Sequence, residues 1–149
     1  MGLKKASIIA AETSLSGAKL TNMTFAEKKP IILIAHKFKE VKEDFEKLVK
    51  DVEDKLKGDS HDQMVEKLTK WQQDGEKSKL TNEEKAEINR YINKFNAERN
   101  SILNEELEKE VEGLEFEQIT EEVFGKFLDG NDLTIKDILV LQETIVKNQ

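Results

Sequence analysis

The sequence predicts a mostly α-helical fold: an elongated antiparallel helical hairpin or a small helical bundle, preceded by an extended N-terminal arm with room for short β elements. Three observations carry that expectation. Apolar residues recur at steps of three and four along two long, highly charged stretches. Thr-x-x-acid pairs, which cap helix starts, punctuate the chain. Residues 1–23 have neither feature and read as a docking arm, leaving 24–149 as the helical domain.

Ala, Ser, Thr and Gly dominate the arm, and Ser14, Ser16 and Gly17 argue against a continuous helix. Ile8-Ile9-Ala10-Ala11 and Lys19-Leu20-Thr21 suit short extended pieces, which need a partner surface to be stable. The arm is therefore expected to dock on a neighbouring protein through Leu3, Ile8, Ile9, Leu15 and Leu20. Its opening Met1-Gly2-Leu3-Lys4-Lys5 has a faint signal-peptide character, but the apolar run that follows is short and Glu12 ends it. The residues after Gly2 lack a firm acylation pattern.

Thr24 and Glu27 have capping-box spacing, and Pro30 belongs in a first turn or at a kink. A main helix is expected from about Pro30 to Lys57, with Ile31, Ile34, Phe38, Val41, Phe45, Leu48, Val52 and Leu56 on one stripe. That stripe resembles a coiled-coil seam, although its Phe residues are bulky for a simple dimer. Gly58 suits a left-handed helix end, and Asp59 or Ser60 can cap the next helix. Met64, Val65, Leu68 and Trp71 give that helix a short apolar face, ended by Asp74-Gly75.

Thr81 and Glu84 mark the clearest helix start, with Leu80 placed to staple it. This helix is expected to reach about Val111, burying Ile88, Ile92, Phe95, Ile102, Leu103 and Leu107. Arg99 falls on the same face, where its stem can pack while its head reaches water. Gly113 ends or weakens the helix, and Glu115–Ile119 can be extended. Thr120 starts a short helix carrying Val123, Phe124, Phe127 and Leu128. Asp129-Gly130-Asn131 is a turn, and Thr134 with Asp137 caps a last helix whose inner face is Ile138, Leu141, Ile145 and Val146.

Composition narrows the function classes. The chain has 24 basic and 31 acidic residues, a formal charge of −7, which argues against a broad nucleic-acid surface. It has no Cys, so disulfides, thiolate catalysis and Cys-based zinc sites are excluded. No apolar run is long enough to span a bilayer. His36 and His61 belong to no metal-binding spacing and read as surface residues. The abundant carboxylates sit in charged helices, where solvation is expected. Asp129-Gly130-Asn131-Asp132 fails the calcium-loop pattern, which demands Gly at position six and an acid at twelve. Trp71, beside Lys67 and Lys70, suits either a ligand contact or the edge of a small core. No catalytic, cofactor-binding or metal-ligating set is expected.

Charge is segregated. Residues 1–30 hold five Lys and two Glu, whereas residues 105–122 hold nine Glu and one Lys. Such opposed fields can draw the arm to its own body or to another subunit. The expected function is that of a non-enzymatic structural or assembly-associated protein mediating protein–protein contacts, within a large particle that can be viral. The alternative is a soluble assembly chaperone or regulatory adaptor binding a partner helix. A small enzyme with a site assembled from distant segments comes third. The expected partners are protein subunits of a larger assembly or further copies of the chain, with no direct nucleic-acid contact. The expected setting is intracellular or cytoplasmic, a virion included.

Overall fold

The computed structural model describes residues 2–148. Among these the chain is all-α: α1 (Lys5–Leu15), α2 (Phe25–Leu56), α3 (His61–Asp74), α4 (Asn82–Glu108), α5 (Glu121–Asp129) and α6 (Ile135–Ile145), with a 3-10 turn at Gly75–Lys77 and no strand. No helix among the described residues is long and apolar enough to cross a membrane. The chain divides into two compact units, Met1–Glu46 with Glu106–Gln149, and Lys47–Glu105.

The first unit has an apolar core. Ile8, Ala11 and Leu15 of α1 meet Ile31, Ile34 and Phe38 of α2, Phe124 and Phe127 of α5, and Leu141 and Ile145 of α6. Ile119 and Val146 close it from outside the helices. Phe116 adds an edge-to-face contact on Phe38, with ring centroids 5.2 Å apart. Burying each of these larger side chains contributes about 1.5–3 kcal/mol.

The extended arm and its β elements are not found. Residues 5–15 are helical, and α1 packs along α6. The residues responsible are Ile8, Ala11 and Leu15, spaced three and four apart, which a helix places on one face. Ser14 is absorbed rather than disruptive. Its hydroxyl lies 3.3 Å from the Ala10 carbonyl and 2.9 Å from Asp137 Oδ1, so the helix gains a tertiary bond at that position. Two isolated bridges, Lys4 with Glu110 and Ile119 with Val146, are the closest the described residues come to β structure.

The predicted caps set the helix starts. Thr24 N–H donates to Glu27 Oε1 at 3.0 Å while Glu27 N–H donates to Thr24 Oγ1 at 3.2 Å. Thr81, Thr120 and Thr134 accept from the amides of Glu84, Val123 and Asp137 in the same way. Pro30 lies inside α2 rather than opening it. It deprives the Ala26 carbonyl of its usual amide partner, which the second turn of a long helix tolerates better than its middle.

The second unit, Lys47–Glu105, holds the end of α2, all of α3 and most of α4. Its buried side chains are Val52, His61, Ile88 and Leu103. Several sequence expectations change here. Gly58 does not adopt a left-handed conformation; Gly75 closes α3 instead, with a positive φ of 56° but a ψ of −122° that lies outside the left-handed helical region. Ser60 occupies the cap position of α3 without a side-chain bond. Ile102 is exposed. Arg99 is not merely snorkelling, because its Nε donates to Glu53 Oε1 at 2.9 Å with both side chains about one-third exposed.

Candidate interaction site

The residues assigned to partner docking lie as follows. Ile8 and Leu15 are buried in the core of their own unit. Leu3 and Leu20 are half-buried and pack against that core. Ile9 is half-buried on α1. The positive N-terminal segment meets the glutamate-rich stretch of the same chain. Lys4 Nζ lies 2.8 Å from Glu108 Oε2, and Lys5 donates to Glu106. Backbone bonds reinforce the pairing, with Lys5 N–H on the Lys109 carbonyl and Val111 N–H on the Leu3 carbonyl, each at 2.9 Å. This pairing also explains why α4 stops at Glu108 and does not reach Val111. Residues 109–111 turn their backbone groups to the N-terminal segment instead.

Residues 16–23 are fastened too. Asn131 Oδ1 accepts from Lys19 N–H at 2.7 Å and its Nδ2 donates to the Lys19 carbonyl at 2.8 Å. Beside it, a Cβ added to Gly130 would lie 2.5 Å from Thr21 Oγ1, so a side chain there would displace the Thr21 hydroxyl. The turn Asp129-Gly130-Asn131 thus holds the connection between α1 and α2.

What the first unit leaves open is a different set of apolar side chains. On α2, Phe25 is 73% exposed, and Ile32 and Leu33 are about half exposed. On α6, Ile135 is 77% exposed, with Leu139 one turn further on. Phe25 and Ile32 are two turns apart, so each helix carries an apolar ridge rather than a single stray residue. A signal was present in Ile31-Ile32-Leu33-Ile34, because a helix buried on one side cannot hide four consecutive apolar residues. The same unit has an open cleft of about 710 Å³, with Leu3, Val111, Leu114 and Phe116 in its lining and Glu115, Glu117 and Glu143 among its polar residues.

The electrostatics of this unit are those of ion pairs and caps. Lys126 holds the Glu27 carboxyl below its ordinary value, Lys5 does the same for Glu106, and the Ser14 hydroxyl does so for Asp137. Glu108 raises Lys4, and Glu27 raises Lys126. Glu12, buried on α1, has Oε2 3.0 Å from Lys42 Nζ, and its hydrogen-bonding contact, with its charge second, raises Lys42. Every one of these shifts strengthens the ordinary charged form.

In the second unit, His61 is buried rather than at the surface. Its Nδ1 lies 2.6 Å from the Tyr91 hydroxyl, and its ring centroid is 4.9 Å from that of Phe95. His36, on α2, is exposed and lies 3.2 Å from Glu40. No group of three or more His, Asp or Glu side chains among the described residues is placed to hold a metal ion. Trp71 is half-buried on α3 and lines a second cleft with Lys67 and Lys70. No protein-family model, curated protein or solved structure matches the chain.

Proposed function

We propose that this is a non-enzymatic, assembly-associated protein that works by docking on other protein subunits through the first unit. The observation that carries the reading is the pair of apolar ridges, Phe25 with Ile32 and Leu33 on α2, and Ile135 with Leu139 on α6. Each large apolar side chain moved out of water at an interface contributes up to about 1.5–3 kcal/mol. Two ridges on two helices suit a component that meets more than one neighbour, in a cellular or a viral particle. Within Lys47–Glu105 the Glu53–Arg99 ion pair joins the end of α2 to α4.

The partner-docking role assigned to Leu3, Ile8, Ile9, Leu15 and Leu20 passes to these ridges, since Ile8 and Leu15 have their neighbours inside the fold. The test is gentle isolation of the native complex from cells carrying the wild-type chain or Phe25→Ser/Ile135→Ser. Both substituted residues are largely exposed, so the variant keeps the wild-type unfolding midpoint. Loss of the co-purifying subunits is the expected result. An unchanged complex overturns the assignment.

A second reading rests on the cleft. Its apolar side chains and three glutamates suit a basic, amphipathic segment of a partner, as an adaptor or assembly chaperone would bind. That reading requires Leu114→Glu, rather than the ridge variant, to abolish association.

A further inference from the structure

The lysine-lined cleft beside Trp71 lies in the second unit and takes no part in the proposed docking. It measures about 500 Å³, within the range of small-molecule sites. Lys67 and Lys70 reach it from α3. Gly75, with its positive φ, turns the chain through the short 3-10 segment and brings Lys77 and Lys79 to the same cleft. Trp71 and Leu80 supply its apolar part, and Asp74 is its one carboxylate. Lys85 of α4 stands 5.6 Å from the centre of the indole ring. A second opening, lined by Leu68, Gln72 and Asn89, also reaches Trp71.

What sets this locus apart is the gathering of four lysines around one cleft. Acidic residues outnumber basic ones in the sequence, and some lysines elsewhere, including Lys4, Lys5, Lys42 and Lys126, stand against carboxylates. Yet among the described residues none of Lys67, Lys70, Lys77, Lys79 and Lys85 lies within 4.0 Å of a carboxylate oxygen. Solvated lysines near a helix C-terminus are ordinary, and they favourably meet the negative end of the helix dipole. That accounts for one or two of them. It does not account for a cleft of ligand size with four of them around the single Trp of the chain.

We propose that this cleft binds a nucleoside phosphate, free or as a unit of a single strand. The unpaired ammonium groups suit the phosphate charge, which lysine meets as a mobile point charge. The indole and Leu80 suit the base, and Asp74 offers an acceptor to a ribose hydroxyl or an exocyclic amine. The overall charge of −7 opposes a broad nucleic-acid surface but leaves a local site of this kind open.

The single Trp makes the test direct, because Trp71 fluorescence reports only on this locus. The full-length protein is titrated with ATP, tripolyphosphate, adenosine, an oligothymidylate and an oligoglutamate peptide. Saturable quenching by ATP is expected, at least about tenfold tighter than by tripolyphosphate or adenosine, a difference of roughly 1.4 kcal/mol. Lys70→Gln/Lys77→Gln, two exposed positions, should weaken ATP by a similar factor while leaving the melting curve unchanged. Tighter saturation by the oligothymidylate than by ATP supports a strand as the natural source, and the reverse order supports a free nucleotide. Absence of saturable quenching by ATP and oligothymidylate alike, an unchanged affinity in the double variant, or tripolyphosphate or oligoglutamate binding as tightly as ATP would each overturn the proposal.

Discussion

The two units are stabilised differently. Met1–Glu46 with Glu106–Gln149 encloses twelve buried apolar residues in one continuous core, drawn from four helices and two flanking segments. Lys47–Glu105 buries only Val52, Ile88 and Leu103 among its apolar residues, and adds His61 with its Tyr91 bond and the Arg99–Glu53 pair, about one-third exposed. Its helices are amphipathic, yet Met64, Leu68, Trp71, Ile92 and Phe95 remain only half-buried. The first unit therefore depends on dispersion and the hydrophobic effect, which tolerate little change of volume. The second has less buried apolar surface to draw on, and its Thr81 cap and polar pairs make net contributions that are small one by one.

This contrast can be broken most directly in the larger core. Phe38→Ala should cost about 3–5 kcal/mol, because the ring is fully buried and makes a T-shaped contact with Phe116. Ile8→Ala belongs to the same core and should cost about 2–5 kcal/mol by urea denaturation. A cost below about 1 kcal/mol, the size of an ordinary substitution, would return α1 to a peripheral role.

Ile88→Ala probes the thinner unit. The side chain is almost fully buried and its removal should cost toward the lower part of the range of about 2–5 kcal/mol, since half-exposed neighbours can relax into the space. Hydrogen exchange sharpens the comparison. Amides of α3 should exchange faster than those of α1 and α6, and Ile88→Ala should speed exchange within Lys47–Glu105 while leaving α1 and α6 unchanged. Uniform acceleration across both units would show that they unfold as one.

Much of this fold was legible in the sequence, for local reasons. The stripe from Ile31 to Leu56 repeats over many turns, so its period could be read, and the Thr caps at 24, 81, 120 and 134 act over three residues. Residues 1–23 were misread because the information that orders them is distant. Lys5 finds Glu106 and Lys19 finds Asn131, each partner more than a hundred positions away. The Ile8–Ala11–Leu15 spacing was visible, but it spans only two turns and is interleaved with Thr13 and Ser14. The candidate sites fared similarly. His61 is buried through Tyr91, thirty positions on, and the cleft at Trp71 needs the fold-back at Gly75 to bring Lys77 and Lys79 beside Lys67 and Lys70.

The smallest effect concerns a cap in the second unit. Thr81→Ala removes the hydroxyl that accepts the Glu84 amide at 3.1 Å and should cost roughly 0.5–2 kcal/mol. Exchange at the Glu83 and Glu84 amides should rise. Unchanged exchange would mean that Glu84 or water replaces the hydroxyl at no cost.

The first unit is assembled from two stretches that the chain delivers far apart in time. Ile8, Ile31, Ile34 and Phe38 are synthesised before residue 47, but Phe124, Phe127, Leu141, Ile145 and Val146 follow only after residue 119. At ~5–20 residues per second, roughly a hundred residues separate the two deliveries by about 5–20 s. Lys47–Glu105, contiguous in sequence, is completed within that interval, while the earlier helices present uncovered apolar faces. The nascent chain thus passes through a stage in which its N-terminal third is open to a chaperone or to another nascent chain. A translational pause just after residue 105 would lengthen that stage, whereas one after residue 146 would not.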